Sequence, residues 1–322
     1  MRSKILRELM DHSDTFVSGQ KLCKTFGVSR QAVWKNICCL KELGYDIESV
    51  TNKGYRLISK PDILYGPEIE AYLEEESFCQ KVECHDSIDS TNIRGKQLAE
   101  LGEAEGTLIV ADRQTAGRGR RGRNWISESG VGIYMTYVLR PTVQPAHVSG
   151  ITLLAALAMC EATYQECDVL PQIKWPNDVI IDGKKICGIL TEAVSDFESG
   201  RIDTVVVGIG INYHAPKEGY PDEIKEIAGT VCAEDEKIPR NELVAAIIEN
   251  LCKLYQDLPD KSFMEDYRKW SNVLGKKIRF TSGTDWEYGT AVAIDEDGGL
   301  IVEKEDHTQE ILHTGEITVR VC

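Results

Sequence analysis

Thirteen residues, RQTAGRGRRGRNW (113–125), hold five arginines, Arg113, Arg118, Arg120, Arg121 and Arg123, interleaved with Gly117, Gly119 and Gly122. Cations packed this densely repel one another unless an anion lies among them, and the glycines let backbone approach a ligand closely. The stretch is not GxxxxGK[ST]. Gly117, Gly119 and Gly122 match the letters GxGxxG, but the SESGVG that follows leads into another strand and not into a helix, so neither common phosphate loop is indicated. Taken alone, the loop admits a nucleic-acid patch as well as a small anionic ligand.

A second chemical stretch is PQIKWPNDVIIDGKKICGILTE (171–192). Asp182-Gly183 predicts a two-residue hairpin turn, which sets Ile180 opposite Lys185 and Asp178 opposite Cys187. Asp178 and Lys185 then become diagonal neighbours on one face, with Cβ atoms about 7–8 Å apart, within a lysine's reach. On an open surface such a pair contributes only about 0–1 kcal/mol. Here Ile186, Cys187, Ile189 and Leu190 are apolar, so the lysine sits at the edge of a core and needs a purpose. Gly188 lets a ligand lie against the strand. DTVVVGIGINYH (203–214) ends a buried strand on Gly208, Gly210 and Asn212, where bare backbone makes room for a flat ligand or, on the structural alternative, a bulge. HDSIDSTN (85–92) closes on Ser90, Thr91 and Asn92 before a helical pattern, and Ser90 or Thr91 reads equally as an N-cap.

No Ser-His-Asp or Cys-His set emerges, and the six histidines are scattered. Cations around a ligand without a protein nucleophile suit acyl adenylation: a carboxylate attacks the α-phosphate of ATP, pyrophosphate leaves, and the positive groups neutralise the developing charge. Mg²⁺ would bridge phosphate oxygens, and no metal-ligand set of the protein's own is read.

The elements that must position these groups follow from periodicity. Thr107–Ala111 is a continuous apolar strand entering the arginine loop, GVGIYMTYVLRP is another, and VSGITLLAALAMCEATYQ is a helix apolar over much of its circumference. From about Leu274, GKKIRF, WEYGTAVAIDEDGGLIVE and TQEILHTGEITVR are short strands with a Gly-rich turn, a small barrel by pattern. At the other end, SKILRELMDH, GQKLCKTF and a longer segment capped by Ser29, with Val33, Ile37, Leu40 and Leu43 on one face, make a helix-turn-helix pattern. Strands about Asn52-Lys53-Gly54 add a wing. Ser18, Gly19, Ser29, Arg30, Gln31, Lys35, Asn36 and Lys53 are the candidates for phosphates and base edges. The bland reading is a solvated basic three-helix cap. Lys60-Pro61 and Tyr65-Gly66-Pro67 mark a linker. The expected division is residues 1–62, a winged-helix DNA-binding domain; 63–271, the domain that carries both chemical stretches; and 272–322, a small barrel.

Bulk properties agree. Residues 1–60 carry 11 Lys/Arg against 6 Asp/Glu, whereas the whole chain of 322 residues is at −15, so nucleic acid is expected at the head only. No apolar run approaches the ~18 residues of a membrane span. The N-terminus lacks a signal peptide's apolar region. The 11 cysteines show no metal spacing and are read as reduced thiols of a cytoplasmic protein.

DSTN, QTAGRGRRGR-W, KWPNDV, GKKICGIL and GIGIN, in this order and spacing, resemble biotin protein ligases of the bifunctional type that also act as biotin operon repressors. The resemblance spans essentially the whole chain. It implies a winged helix, a central α/β mixed-sheet ligase domain and a C-terminal SH3-like barrel, a multidomain α+β protein. It implies that biotin is activated with ATP and Mg²⁺ to biotinyl-5′-AMP and transferred to a lysine of the biotin carboxyl carrier protein of acetyl-CoA carboxylase. It implies further that the adenylate-loaded chain forms a homodimer on biotin operator DNA. Residue by residue, Ser90, Thr91, Asn92 and Gln114 correspond to contacts around the biotin ureido ring. Arg118, Gly119 and Arg120 correspond to the loop closing over biotin and phosphate. Lys185, with Gly188, is the biotin site's counterpart, and Lys185, Arg118 and Asp178 are the expected catalytic set. Arg118, Arg120, Arg121, Trp125, Asn177, Lys185, Gly208, Ile211 and Asn212 are expected around the adenylate. Cys187 stands where the family has a small residue, YHAPKEGYPDEI after Asn212 has no family counterpart, and Tyr213 and Tyr220 are candidates there. Glu316 and Arg320 end the strand that the family's tail turns toward the active site. Other readings are a biotin-sensing repressor without ligase activity, a ligase whose head does not bind DNA, and a lipoate- or octanoate-handling relative; the intact Lys185, the basic head and the GRGRRGR loop weigh against each in turn.

Overall fold

A computed structural model describes residues 1–75, 77–141, 148–195, 202–232, 238–281, 286–313 and 320–321. Glu316 lies outside the described residues.

The head is built from α1 (Arg2–Met10), α2 (Gly19–Phe26) and α3 (Arg30–Glu42), followed by the antiparallel pair β1 (Asp46–Val50) and β2 (Gly54–Ser59). The capping chemistry is local. Ser18 Oγ accepts from Lys21 N at 3.0 Å and Ser29 Oγ from Ala32 N at 3.2 Å. Gly27, with φ of 65°, ends α2 in the left-handed conformation that favours glycine. Ile5, Leu6, Leu9, Leu22, Val33, Ile37 and Leu40 close a core of the head's own.

The body is a seven-stranded mixed sheet in the order β3-β4-β5-β9-β8-β7-β6. Its strands are β3 (Lys81–His85), β4 (Thr107–Ala111), β5 (Gly132–Leu139), β6 (Gln172–Lys174), β7 (Asp178–Ile181), β8 (Lys184–Ser195) and β9 (Ile202–Asn212). Only the β3–β4 pair is parallel. After α4 (Gly66–Tyr72), the helices divide between the two sheet faces. α5 (Thr91–Glu100) lays Leu98 against Ile109, Val138 and Val206 on one face. α6 (Val148–Cys167), buried around most of its circumference, and α7 (Arg240–Tyr255) cover the other, as an apolar helix without a polar stripe must. α8 (Met264–Trp270) leads to the tail, five strands in the order β13-β12-β11-β10-β14. These are β10 (Lys277–Thr281), β11 (Trp286–Ile294), β12 (Leu300–Glu303), β13 (Gln309–Leu312) and β14 (Arg320–Val321). The inner side chains Ile278, Phe280, Ala291, Leu300 and Val302 are continuous with the body's core.

The linker segment is packed at both ends: after residues 60–65 the chain enters α4, whose Ala71 packs with the head while Ile69 packs with the body. Arg7 of α1 donates to the carbonyls of Ala71 (3.0 Å) and Glu70 (2.9 Å). Glu68, 1% exposed, receives the Tyr45 hydroxyl from the head and has Lys60 at 3.8 Å. Burial pushes the Glu68 carboxyl up despite Tyr45 and Lys60. One expectation is corrected, the register of the Asp182-Gly183 hairpin. Ile180 does pair with Lys185, but Val179 pairs with Cys187 and Asp178 with Gly188, because a bulge adds Ile186 to β8.

Candidate active site and basic head surface

The arginine loop folds back on itself. Trp125 N donates to Gly117 O at 3.0 Å and Gly119 N to Arg123 O at 2.7 Å, with Arg121 at φ 58° at the tip. This small hairpin separates its arginines. Arg118 and Arg123 stay exposed, whereas Arg120 turns inward, half-buried, and donates from Nη1 to Asn177 Oδ1 at 2.7 Å. Burial lowers the Arg120 guanidinium, with Asp178 opposing and Arg121 adding to the effect. A partly desolvated cation beside another cation is a receptor for an anion.

Lys185 stands at the start of β8. The bulge leaves its Nζ 2.6 Å from Asp178 Oδ1 and 5.3 Å from the Trp125 ring centroid. The expected ion pair is therefore present, with both partners partly exposed at 31% and 23%. Asn177 fixes the loop–sheet junction: its Nδ2 donates to Ile189 O at 3.0 Å, and its own carbonyl receives Ile189 N. The tail braces the same turn, since Trp175 Nε1 donates to Gly298 O at 2.9 Å. Asn212 Nδ2 reaches Lys185 O at 3.2 Å, and Ile211, fully buried, pairs with Cys187. Cys187 is fully buried and burial pushes its thiol up, so it fills space behind Lys185 as a small apolar residue does.

The glycine floor exists, and this chain's own side chains lie on it. Gly188 and Gly210 are directly paired, and a Cβ on either would meet Trp125, at 2.8 and 2.6 Å. The flat group resting on bare backbone is thus the indole. A Cβ on Gly208 would lie 2.0 Å from Asn92 Oδ1.

Asn92, a ligand contact by resemblance, is hydrogen-bonded within the protein. Its Nδ2 donates to Leu190 O (3.1 Å) and Glu192 Oε2 (2.9 Å), and its Oδ1 accepts from Thr136 Oγ1 (2.7 Å). Lys96 holds the other oxygen of Glu192 at 2.6 Å. Burial pushes the Glu192 carboxyl up, but Lys96, Asn92 and the charge of Arg118 outweigh it and hold it below its ordinary value. Gln114 is tied likewise: Oε1 accepts from Thr91 N (2.9 Å) and Oγ1 (3.2 Å), and Nε2 donates to Ser127 Oγ (3.0 Å). Ser90 occupies the N-cap position of α5 and is 1% exposed, yet its side chain makes no cap hydrogen bond, so capping does not account for the hydroxyl. A cavity of about 350 Å³ opens beside Gln114, Ser127 and Arg113. Lys185, Arg120 and the glycine floor do not line it, so the chemistry is assigned by the charged residues and not by this void.

Sequence reasoning missed several neighbours. The segment after Asn212 returns to the site: Lys185 N donates to Ile227 O at 2.6 Å and Gly229 N to Lys185 O at 2.9 Å. In this segment Tyr213 is 1% exposed, Tyr220 donates its hydroxyl to Gly229 O at 3.2 Å, and the Ile227 side chain is 58% exposed. Such a pairing across forty residues leaves no local pattern to read. Ser127, in contrast, lies only two residues beyond Trp125.

On the head, Arg30, Gln31, Lys35 and Lys53 are exposed. Asn36 donates to Ala32 O at 2.8 Å, Gly19 backs onto Tyr55, and the Ser18 and Ser29 hydroxyls serve as caps. Trp34, 59% exposed on α3 beside Lys35, was not singled out from sequence. Lys53 and Arg56 lie over the Phe16 ring at 5.7 and 4.9 Å, which fixes the wing's basic edge.

Among the described residues, no helix is long and apolar enough to cross a membrane.

Comparison with known proteins bears on all three parts. Residues 85–212 match the Biotin/lipoate A/B protein ligase family, residues 2–56 an HTH domain and residues 273–320 the Biotin protein ligase C terminal domain. The chain is 38% identical over 319 residues to the bifunctional ligase/repressor BirA of Bacillus subtilis, covering 97% of this chain and 98% of that one. It is 30% identical over 309 residues to the Escherichia coli bifunctional ligase/repressor BirA, covering 95% and 93%. Among solved structures, the biotin protein ligase of Aquifex aeolicus in complex with biotin and ATP superposes with a TM-score of 0.64 at 28% identity, over 76% of this chain and all of that one.

Proposed function

This chain belongs to the biotin protein ligases, in their bifunctional ligase/repressor form, and from that premise we propose that it activates biotin with ATP, passes it to a carrier-protein lysine, and represses transcription in response to biotin. The observation carrying the catalytic half is the convergence of Lys185, its partner Asp178 and the half-buried Arg120 at one edge of the glycine floor.

In the first step a biotin carboxylate oxygen attacks the α-phosphorus of ATP, a P–O bond forms, and the bond to pyrophosphate breaks. Lys185 neutralises the carboxylate and then the phosphoryl oxygens as they crowd together. Asp178 holds the ammonium toward them, and Arg120, anchored by Asn177, adds charge in a desolvated position where it counts most. In the second step the neutral amine of the carrier lysine attacks the acyl carbon, the C–N bond forms, the acyl C–O bond breaks with its electron pair going to AMP, and the nitrogen's extra proton passes to solvent. Arg118, exposed at the loop, faces the phosphate, and Arg121, Asn212 and Ile211 border the nucleotide side. Trp125 covers the floor and keeps water from the mixed anhydride. Ser90, Thr91, Gln114, Gly119 and Gly188 frame the ureido and ring end. Asn92 and Gly208 are assigned to support, since the Asn92 amide is committed to Leu190, Glu192 and Thr136.

Magnesium would enter with ATP as part of the substrate and would supply charge neutralisation at the phosphates.

The regulatory half rests on the head. Arg30, Gln31, Lys35 and Lys53 are exposed on the surface of a helix-turn-helix and wing, suited to operator DNA read by a homodimer of the adenylate-loaded chain. The test combines biotin-dependent ATP–pyrophosphate exchange, transfer of labelled biotin to carrier protein, and DNA binding with and without biotin and ATP. Exchange without transfer removes the carrier assignment, and DNA binding indifferent to both ligands removes the repressor assignment.

A further inference from the structure

One buried arginine joins the neck of the arginine loop to the segment leading from the head. Arg240 opens α7 and is 2% exposed. Its Nε donates to Asp62 Oδ1 at 2.8 Å, and its Nη2 to the Asp62 carbonyl at 3.2 Å. Its Nη1 donates to Asp112 Oδ1 at 2.7 Å and to Gly132 O at 3.0 Å. Asp112 immediately precedes the loop. It also accepts from Gly130 N at 3.1 Å and from the Ser129 hydroxyl in the turn that leads into β5. A single cation thus clasps the entrance and exit of the loop, and with its other edge it grips the linker.

Burial of the guanidinium alone does not require this arrangement. A buried cation needs one good counter-charge, and Asp112, 20% exposed, supplies it from within the body. Asp62 is 58% exposed and adds a second. The neighbouring residue repeats the grip, because Asn241 Nδ2 donates to Ile63 O at 2.8 Å and Tyr65 N donates to Asn241 Oδ1 at 3.1 Å. The gripped segment in turn touches the head, where Arg2 donates to the Tyr65 hydroxyl at 3.1 Å and Gly44 backs onto Pro61. The guanidinium is a rigid planar fork, so a shift at Asp112 turns the whole group and is passed to Asp62.

We propose that Arg240 is a positioning residue shared by the two activities: closure of the arginine loop on its ligand moves Asp112, and the Arg240–Asp62 pair carries that movement to the DNA-binding head. The proposal rests on the ligase/repressor reading above. It predicts that Asp62, which lies outside both proposed binding surfaces, sets how strongly biotin and ATP change DNA affinity.

The test uses the full chain and a DNA duplex selected by the wild type from a random-sequence pool with biotin and ATP present. At one fixed salt concentration, DNA affinity is measured with and without biotin plus ATP for wild type, Asp62→Asn and Asp62→Glu. A coupling of ordinary size in the wild type is about 5–150-fold. Asp62→Asn is expected to cut that factor at least about fivefold, a loss of ~1 kcal/mol of coupling. Its ligand-free DNA affinity, thermal midpoint and biotin-dependent pyrophosphate exchange should stay at wild-type values, which a merely structural defect would not allow. By reciprocity, the effect of DNA on biotin affinity falls by the same factor. Asp62→Glu, which keeps the charge, retains most of the coupling. An Asp62→Asn chain with the wild-type factor overturns the proposal, as does a Glu variant that behaves like Asn. A wild type whose DNA affinity ignores both ligands removes the repressor reading itself, a distinct outcome.

Discussion

On α3 the cations Arg30 and Lys35 stand in solvent, whereas in the arginine loop Arg120 is half-buried against Asn177 with its guanidinium lowered by burial. Both regions are basic, and their letters alone suggest the same partner. Their surroundings assign them different ones. Solvated charges spread along a helix suit an extended polyanion whose counterions are released on binding, and salt weakens that contact steeply. A desolvated charge beside a lysine–aspartate pair suits one small anion at one point, and salt screens it far less.

Substitutions separate the two regions most sharply where the charge is most deeply set. Lys185→Ala is expected to lower biotin-dependent pyrophosphate exchange by roughly 10²–10³-fold, the usual cost of removing a group that stabilises transition-state charge. Ligand-free DNA binding should be untouched, and a loss of both would mean that the two basic regions are not independent. Arg120→Gln comes next. It should slow exchange by about 10–100-fold, since a charge-assisted hydrogen bond is worth about 1.5–3 kcal/mol, and raising salt should not reproduce the defect. In the head, Lys35→Ala should leave exchange intact, weaken DNA binding across all sequences and reduce the salt slope by about 1. A Lys35 variant that changes sequence preference with its salt slope intact would make it a base reader and not a phosphate contact.

The smallest effect concerns the support beneath the site. Because Glu192 is held below the ordinary glutamate value of 4.5, its contribution to stability is complete above that pH and is lost as the pH falls through its lowered native value. Glu192→Gln should therefore melt a few degrees below wild type at neutral pH, for ~1 kcal/mol of lost hydrogen bonding. The difference should shrink as the pH is taken well below 4.5. An equal difference at both extremes would show that charge at Glu192 plays no part.

The comparison also explains what could be read from the sequence. The Lys185–Asp178 pair was legible because an Asp-Gly turn sets the register and a lysine side chain tolerates an error of one residue. The partner of Asp178 was not legible: the bulge at Ile186 changes it from Cys187 to Gly188, and nothing local marks the extra residue. The glycine floor was legible as bare backbone, but its occupant was not, since Trp125 reaches Gly210 only through the tertiary fold. The internal partners of Asn92 and Gln114 were not legible, because Thr136, Glu192 and Ser127 come from elsewhere in the chain. Nothing local to Arg240 in IPRNEL marks its burial, which depends on Asp62 and Asp112, more than a hundred residues away. Helices, caps and the wing turn, set by neighbours in sequence, were read with the fewest changes.

The central claim is that the arginine loop and Lys185 hold a single adenylate, not nucleic acid. The most direct test is a crystal structure of this chain grown with biotin, ATP and magnesium. The account predicts a biotinyl adenylate whose phosphate oxygens lie within about 3 Å of Lys185 Nζ and of an Arg120 nitrogen, ordinary charge-assisted distances. An adenylate bound elsewhere, as in the cavity beside Gln114, Ser127 and Arg113 with Lys185 still closed on Asp178, would contradict it.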